Sequence, residues 1–92
     1  MEKKVKILIT YENGLHARPV TKLVDIASRF DCDLFLENKG ITINMKSVLG
    51  VMTLGVYNDE EIVIIANGND ADAALKSLVN FITSDNLGEV IQ

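Results

Sequence analysis

The residues best placed to do chemistry lie in one stretch, Asn13-Gly14-Leu15-His16-Ala17-Arg18-Pro19, which holds the only histidine among the 92 residues. Asn-Gly marks a turn. Proline is tolerated in the first turn of a helix and disfavoured later, so Pro19 sets His16 at the start of a helix. The first amides of a helix have no internal partner and carry about half a positive charge, which suits an anion. Arg18 adds a guanidinium whose fork matches phosphate oxygens. A neutral imidazole nitrogen beside such a site can attack phosphorus, and phosphoryl transfer asks mainly for positioning and charge stabilisation. The competing reading is a plain surface or capping histidine, and on residue chemistry alone the two stand about even.

The elements that must position this stretch can be read from periodicity. Lys4 to Thr10 alternates, with Val5, Ile7 and Ile9 on one face of a strand. Ala17 to about Phe30 carries Val20, Leu23, Val24, Ala27 and Phe30 on one helical stripe. Asp33–Glu37 and Ile41–Met45 flank Asn38-Lys39-Gly40 as a hairpin, with Leu34, Leu36, Ile41 and Ile43 facing the core. Ser47 caps a short helix, Val48 to about Leu54, stopped by Gly55. Of its apolar residues, Val48 and Val51 or a similar pair are expected inside, with Leu49 and Met52 exposed. Glu61–Ala66 is a strand rich in β-branched residues. A last helix starts after Asn69 or Asp70, with Ala71, Ala74, Leu75, Leu78 and Ile82 on its inner stripe. The order β-α-β-β-α-β-α implies a two-layer sandwich with one sheet face covered by helices.

Composition narrows the function classes. At 92 residues the chain is read as one domain, 1–92. Residues 1–56 hold eight Lys and Arg against six Asp and Glu, and residues 57–92 hold one against seven. The first part can therefore favour an anion around His16, and the acidic remainder reads as a solvated terminal helix. The net charge of −4 argues against a general nucleic-acid binder. No apolar run reaches the length of a membrane span, and no leader-like stretch follows the N-terminal lysines, so a cytoplasmic location is expected. A lone Cys32 forms no internal disulfide and reads as a buried structural residue. No metal or cofactor set is evident. Glu60-Glu61 and Asp70-Asp72 read as turn and cap charges.

Two blocks, Gly14-Leu15-His16-Ala17-Arg18-Pro19 and Met45-Lys46-Ser47-Val48-Leu49-Gly50-Val51-Met52-Thr53-Leu54-Gly55, resemble the active-site and regulatory-serine segments of the HPr phosphocarriers of the bacterial phosphoenolpyruvate:sugar phosphotransferase system, in their Gram-positive form. The resemblance spans about residues 3–85. It implies an α+β open-faced β-sandwich with a four-stranded antiparallel sheet and three helices on one face. It implies that enzyme I phosphorylates His16 at Nδ1 and that His16 passes the group to the IIA domain of a sugar permease. Arg18 is then the electrostatic partner, and the amides of Ala17 and its neighbours hold the phosphate. Ser47 becomes the target of an HPr kinase/phosphorylase, and its phosphorylated form binds a LacI-type catabolite regulator. Thr21, Val48, Leu49 and Met52 become docking residues, and a monomeric shuttle is expected. Val20, where alanine is common, and Asp25, where a basic or neutral polar residue is common, depart from the pattern. A purely regulatory relative would lack the histidine, which His16 contradicts. A carrier of the parallel nitrogen-related relay is disfavoured by the Ser47 block.

Overall fold

The computed structural model describes residues 2–92. Its elements are β1 (Glu2–Ile9), α1 (Ala17–Ala27), β2 (Asp33–Asn38), β3 (Ile41–Asn44), α2 (Val48–Leu54), β4 (Glu61–Asn67), α3 (Ala71–Ser84) and β5 (Gly88–Val90). The strands form one antiparallel sheet in the order β3-β2-β4-β1-β5. Register follows the alternation: Ile7 opposes Ile62, Val5 opposes Ile64 and Leu36 opposes Ile64, so one face gathers the β-branched residues. That face, the α1 stripe Val20-Leu23-Val24-Ala27 and the α3 stripe Ala71-Ala74-Leu78-Ile82 make a single buried cluster. Each buried Val, Leu or Ile side chain of this cluster contributes about 1.5–3 kcal/mol by leaving water. Val20 is fully buried in it, so its extra bulk is absorbed in packing.

The sheet has five strands, not the expected four. Three residues, Gly88–Val90, pair with Ile7–Ile9 along the outer edge of β1. A strand this short carries no readable period, which is why the pattern ends at the last helix. Its first position needs glycine, because a Cβ on Gly88 would sit 2.5 Å from the Leu8 carbonyl oxygen. The ladder continues into the terminus, with Ile91 N–H donating to the Lys6 carbonyl at 2.9 Å and Lys6 N–H to that of Gln92 at 3.0 Å.

Five further expectations are corrected. Val48 is exposed at 44%, and α2 turns Val51, with half-buried Leu54, inward instead. Ile41 is 58% exposed because it begins an edge strand beyond the helices' cover, whereas Ile43 packs on the core. The acidic third is not a charged helix: only Asp72 of its acids lies within α3, and the others sit in turns, caps and strands. Asp70 occupies the N-cap of α3 but makes no side-chain cap bond. Its carboxylate accepts instead from the amides of Asp31 and Cys32, both at 2.8 Å, tying the start of α3 to the entry of β2. Helix α1 also ends earlier than its periodicity suggests, at Ala27, and Phe30 packs against the core from the following turn.

Replacing Gly88 with alanine should destabilise the protein by about 1–3 kcal/mol through overpacking. Hydrogen exchange at the Ile91 amide should accelerate selectively, which separates loss of β5 from general unfolding. The Asp31 and Cys32 amides hold Asp70 below its ordinary value of 3.8, the Asp31 bond being the larger cause. A carboxylate depressed in the folded state stabilises above its unfolded pKa and loses that contribution as pH falls through the folded one. Asp70→Asn should therefore melt below the wild type at neutral pH, and the gap in Tm should close as pH drops below about 4.

Candidate functional site

The chain reaches the site through a loop pinned on both sides. The amides of Thr10 and Tyr11 both donate to the Leu87 carbonyl, at 2.9 and 3.1 Å, and Gly14 N–H turns back to the Tyr11 carbonyl at 2.9 Å. Leu15 is buried and its amide donates to the Val56 carbonyl at 3.0 Å. Gly14 passes so close to that carbonyl that a Cβ would lie 2.4 Å from it, and its φ of +66° is left-handed; both features call for glycine.

His16 follows as the N-cap of α1, with extended backbone (φ −116°, ψ −169°) and an exposed side chain. Its carbonyl accepts from Val20 N–H at 3.1 Å, the first bond of the helix. Its ring makes no cap bond to the helix amides. Pro19 has no N–H, so the open amides of this helix start are those of Ala17 and Arg18, which find no acceptor among the described residues. Pro19 does not disturb the start: the helix runs regularly from Ala17.

Sequence reasoning brought His16, Ala17 and Arg18 together, and the structure places His16 and Arg18 on the wall of one open pocket of about 350 Å³. It missed the rest of the wall. Lys22 supplies a second cation, Asp85 a carboxylate, and Tyr11, Phe81 and Leu87 an apolar surface. The signal for Lys22 was available, since it lies one helical turn beyond Arg18. Asp85 lies at the end of α3, one helical turn beyond Phe81, and Leu87 stands just before β5, its carbonyl held by the Thr10 and Tyr11 amides. Neither Arg18 nor Lys22 is in an ion pair among the described residues, whereas Asp25 spends its charge on Arg29 at 2.9 Å. The imidazole lies against the Tyr11 ring, with centroids 5.8 Å apart and planes 17° from parallel.

The second segment behaves differently. Ser47 is a capped helix start: its Oγ accepts from Gly50 N–H at 3.1 Å. Beside it α2 exposes Leu49 at 74% and Met52 at 42%, as expected, together with Val48. Thr21 is exposed on α1, which packs against α2, and its hydroxyl donates to the Ala17 carbonyl at 2.9 Å. Cys32 is buried, and burial with the neighbouring Asp70 carboxylate pushes its thiol up to about 11, so it stays protonated. Among the described residues no group of three or more His, Cys, Asp or Glu could hold a metal, and no helix is long and apolar enough to cross a membrane.

The family model for the PTS HPr component phosphorylation site matches residues 3–84. This chain belongs to the HPr family. The histidine-containing phosphocarrier protein of Mycoplasma superposes with a TM-score of 0.91 at 34% identity, over 94% of this chain and 98% of that one. HPr-C-His from Thermoanaerobacter tengcongensis gives 0.86 at 38% identity, over 91% and 94%. Crh, the Bacillus subtilis catabolite repression HPr, gives 0.71 at 39% identity, over 89% and 90%. The chain is thus a phosphocarrier of the HPr/Crh family, whose members carry phosphoryl groups rather than acting as free-standing catalysts.

The hydroxyl of Ser47 holds one helix amide and nothing in the open pocket. Ser47→Ala should therefore cost about 1 kcal/mol in denaturant unfolding, the usual value of an N-cap.

Proposed function

We propose that the protein relays a phosphoryl group from phospho-enzyme I to the IIA domain of a sugar permease through His16. The observation that carries this is the exposed imidazole at an uncapped helix start, sharing a pocket with an unpaired guanidinium. The Nδ1 lone pair of neutral His16 attacks the donor's phosphorus. A P–N bond forms to His16 as the P–N bond to the donor histidine breaks, and the leaving imidazole takes the bonding electrons. Each ring keeps the N–H on its other nitrogen, so no proton need move. Arg18, Lys22 and the Ala17 and Arg18 amides bear the phosphoryl oxygens' charge. Transfer to the IIA histidine is the same step reversed.

The exposed Val48, Leu49 and Met52, with Thr21, form the surface that both partners use. Adaptable apolar side chains suit a protein that must bind unrelated partners in turn. Ser47 is the regulatory site, modified by an HPr kinase/phosphorylase and then recognised by a LacI-type catabolite regulator. A phosphate there adds about two negative charges beside the docking surface and repels the donor. As a shuttle, the protein works as a cytoplasmic monomer, and residues 1–92 act as one HPr-like domain.

Incubation with phosphoenolpyruvate and enzyme I tests the relay. The phosphoprotein should lose its phosphate in mild acid and keep it in base, as a phosphoramidate does and a serine ester does not. His16→Ala should accept none; uptake by that variant would end the proposal. Arg18→Ala should slow transfer about 10- to 100-fold, the value of a charge-assisted hydrogen bond. Ser47→Asp should also slow it, and an unchanged rate would remove the repulsion account.

A further inference from the structure

We infer that Tyr11 is a positioning residue for the phosphoryl relay, an aromatic platform that holds the plane of the His16 ring. The inference rests on the relay reading of His16. The imidazole makes no cap bond, so the helix does not orient it. What lies against it is the Tyr11 ring, nearly parallel at 17° and offset, with centroids 5.8 Å apart. Offset stacking of this kind is the favoured arrangement of two π systems.

The platform itself is fixed. Tyr11 is half-buried against the core, its amide is held by the Leu87 carbonyl, and its own carbonyl is held by Gly14 N–H. Its backbone is therefore held on one side by Leu87, the residue before β5, and on the other by the turn that leads to His16. An exposed imidazole free to rotate about two bonds would meet phosphorus in a productive pose only part of the time. A ring resting on a fixed neighbour loses that freedom before the donor arrives, which lowers the barrier without any contact between Tyr11 and phosphate. The nucleophilic lone pair lies in the plane of the imidazole, so a neighbour stacked on the ring fixes that plane without occupying the line of attack, and Arg18 and Lys22 share the pocket wall with it.

Three variants test this. Tyr11→Phe keeps the aromatic face, Tyr11→Leu keeps the packing against the core without it, and Tyr11→Ala removes both. In the unphosphorylated protein, the carbon-bound ring protons of His16 should show a ring-current shift in NMR spectra of the wild type and Tyr11→Phe that is absent in Tyr11→Leu. In transfer from enzyme I, Tyr11→Leu should lose about 3- to 10-fold in kcat with KM for the carrier unchanged, the factor for one side chain left unordered. Tyr11→Phe should restore the wild-type rate. Should Tyr11→Ala unfold, the comparison of Phe with Leu still decides the matter. Identical His16 shifts in wild type and Tyr11→Leu would overturn the stack. A Tyr11→Leu rate equal to wild type, or a loss confined to KM, would overturn the positioning role even with the stack present. If the wild type itself takes no phosphate, the relay reading fails and the positioning role with it, while the ring shifts report separately on whether the stack exists.

Discussion

Helix α1 begins without a side-chain cap, and the rest of the site follows from that omission. A serine or aspartate at position 16 would satisfy the first amides with its own oxygen. His16 offers no such bond, so the helix start keeps its partial positive charge and the imidazole keeps both nitrogens free of the helix. The molecule contains the opposite arrangement at α2, where the Ser47 hydroxyl occupies Gly50 N–H. The start of α1 is left open and that of α2 closed within the same small fold. The open one can exist because its neighbours are over-determined: Leu15 is buried, Gly14 is pressed against Val56, and Tyr11 is tied to Leu87. Stability at this helix start comes from the flanking backbone, not from His16.

What the sequence disclosed about this arrangement depended on range. The helix start, the lone histidine and the arginine two positions later are local, and they were legible because Pro19 and Asn13-Gly14 punctuate the chain on either side. The strands Glu2–Ile9 and Glu61–Asn67 were legible because alternate β-branched residues fix which face is buried. Tyr11 was not, although it is only five residues from His16. A stack across a turn requires the chain to double back; Asn13-Gly14 marks that turn, closed by Gly14 N–H on the Tyr11 carbonyl, but nothing in the local pattern says that the two flanking rings meet. Asp85 and Leu87 lay further out of reach, because they are about seventy residues from His16 in sequence and meet it only where the end of α3 and the approach to β5 return beside the Tyr11 loop. Val48 was misplaced for a geometric reason: Val48 and Leu54 are both three residues from Val51, and periodicity alone does not say which of them faces the core with it.

The distribution of charge makes the same point in electrostatic terms. The acidic bias of residues 57–92 reads from the sequence as a solvated face, yet those carboxylates are scattered to separate tasks. Glu60 pairs with Lys39 and accepts from Tyr57 N–H, which hold it below the usual carboxylate range, the Lys39 bond chiefly. It also meets the side-chain amide of Asn38, the one buried polar side chain among the described residues, whose other bond goes to the Glu61 carbonyl. Asp70 joins the start of α3 to the entry of β2. Asp85 alone reaches the pocket, where it faces two cations. Most of the remaining ion pairs are exposed and contribute little to stability. Their effect is to leave Arg18 and Lys22 as the cations not already engaged near His16.

The capped state of Ser47 bears on how a regulatory phosphate would act. Its Oγ already points at the amide of Gly50, so a phosphate on that oxygen would bring its own acceptors to the same helix start, where negative charge is favoured. The helix has no reason to melt, and Val51 has no reason to leave the core. Modification would therefore change the field over Val48, Leu49 and Met52 while their geometry stayed in place. A switch of that kind discriminates between partners by charge alone: an acidic donor approaching the patch is repelled, and a basic partner gains a new contact, on an unaltered surface.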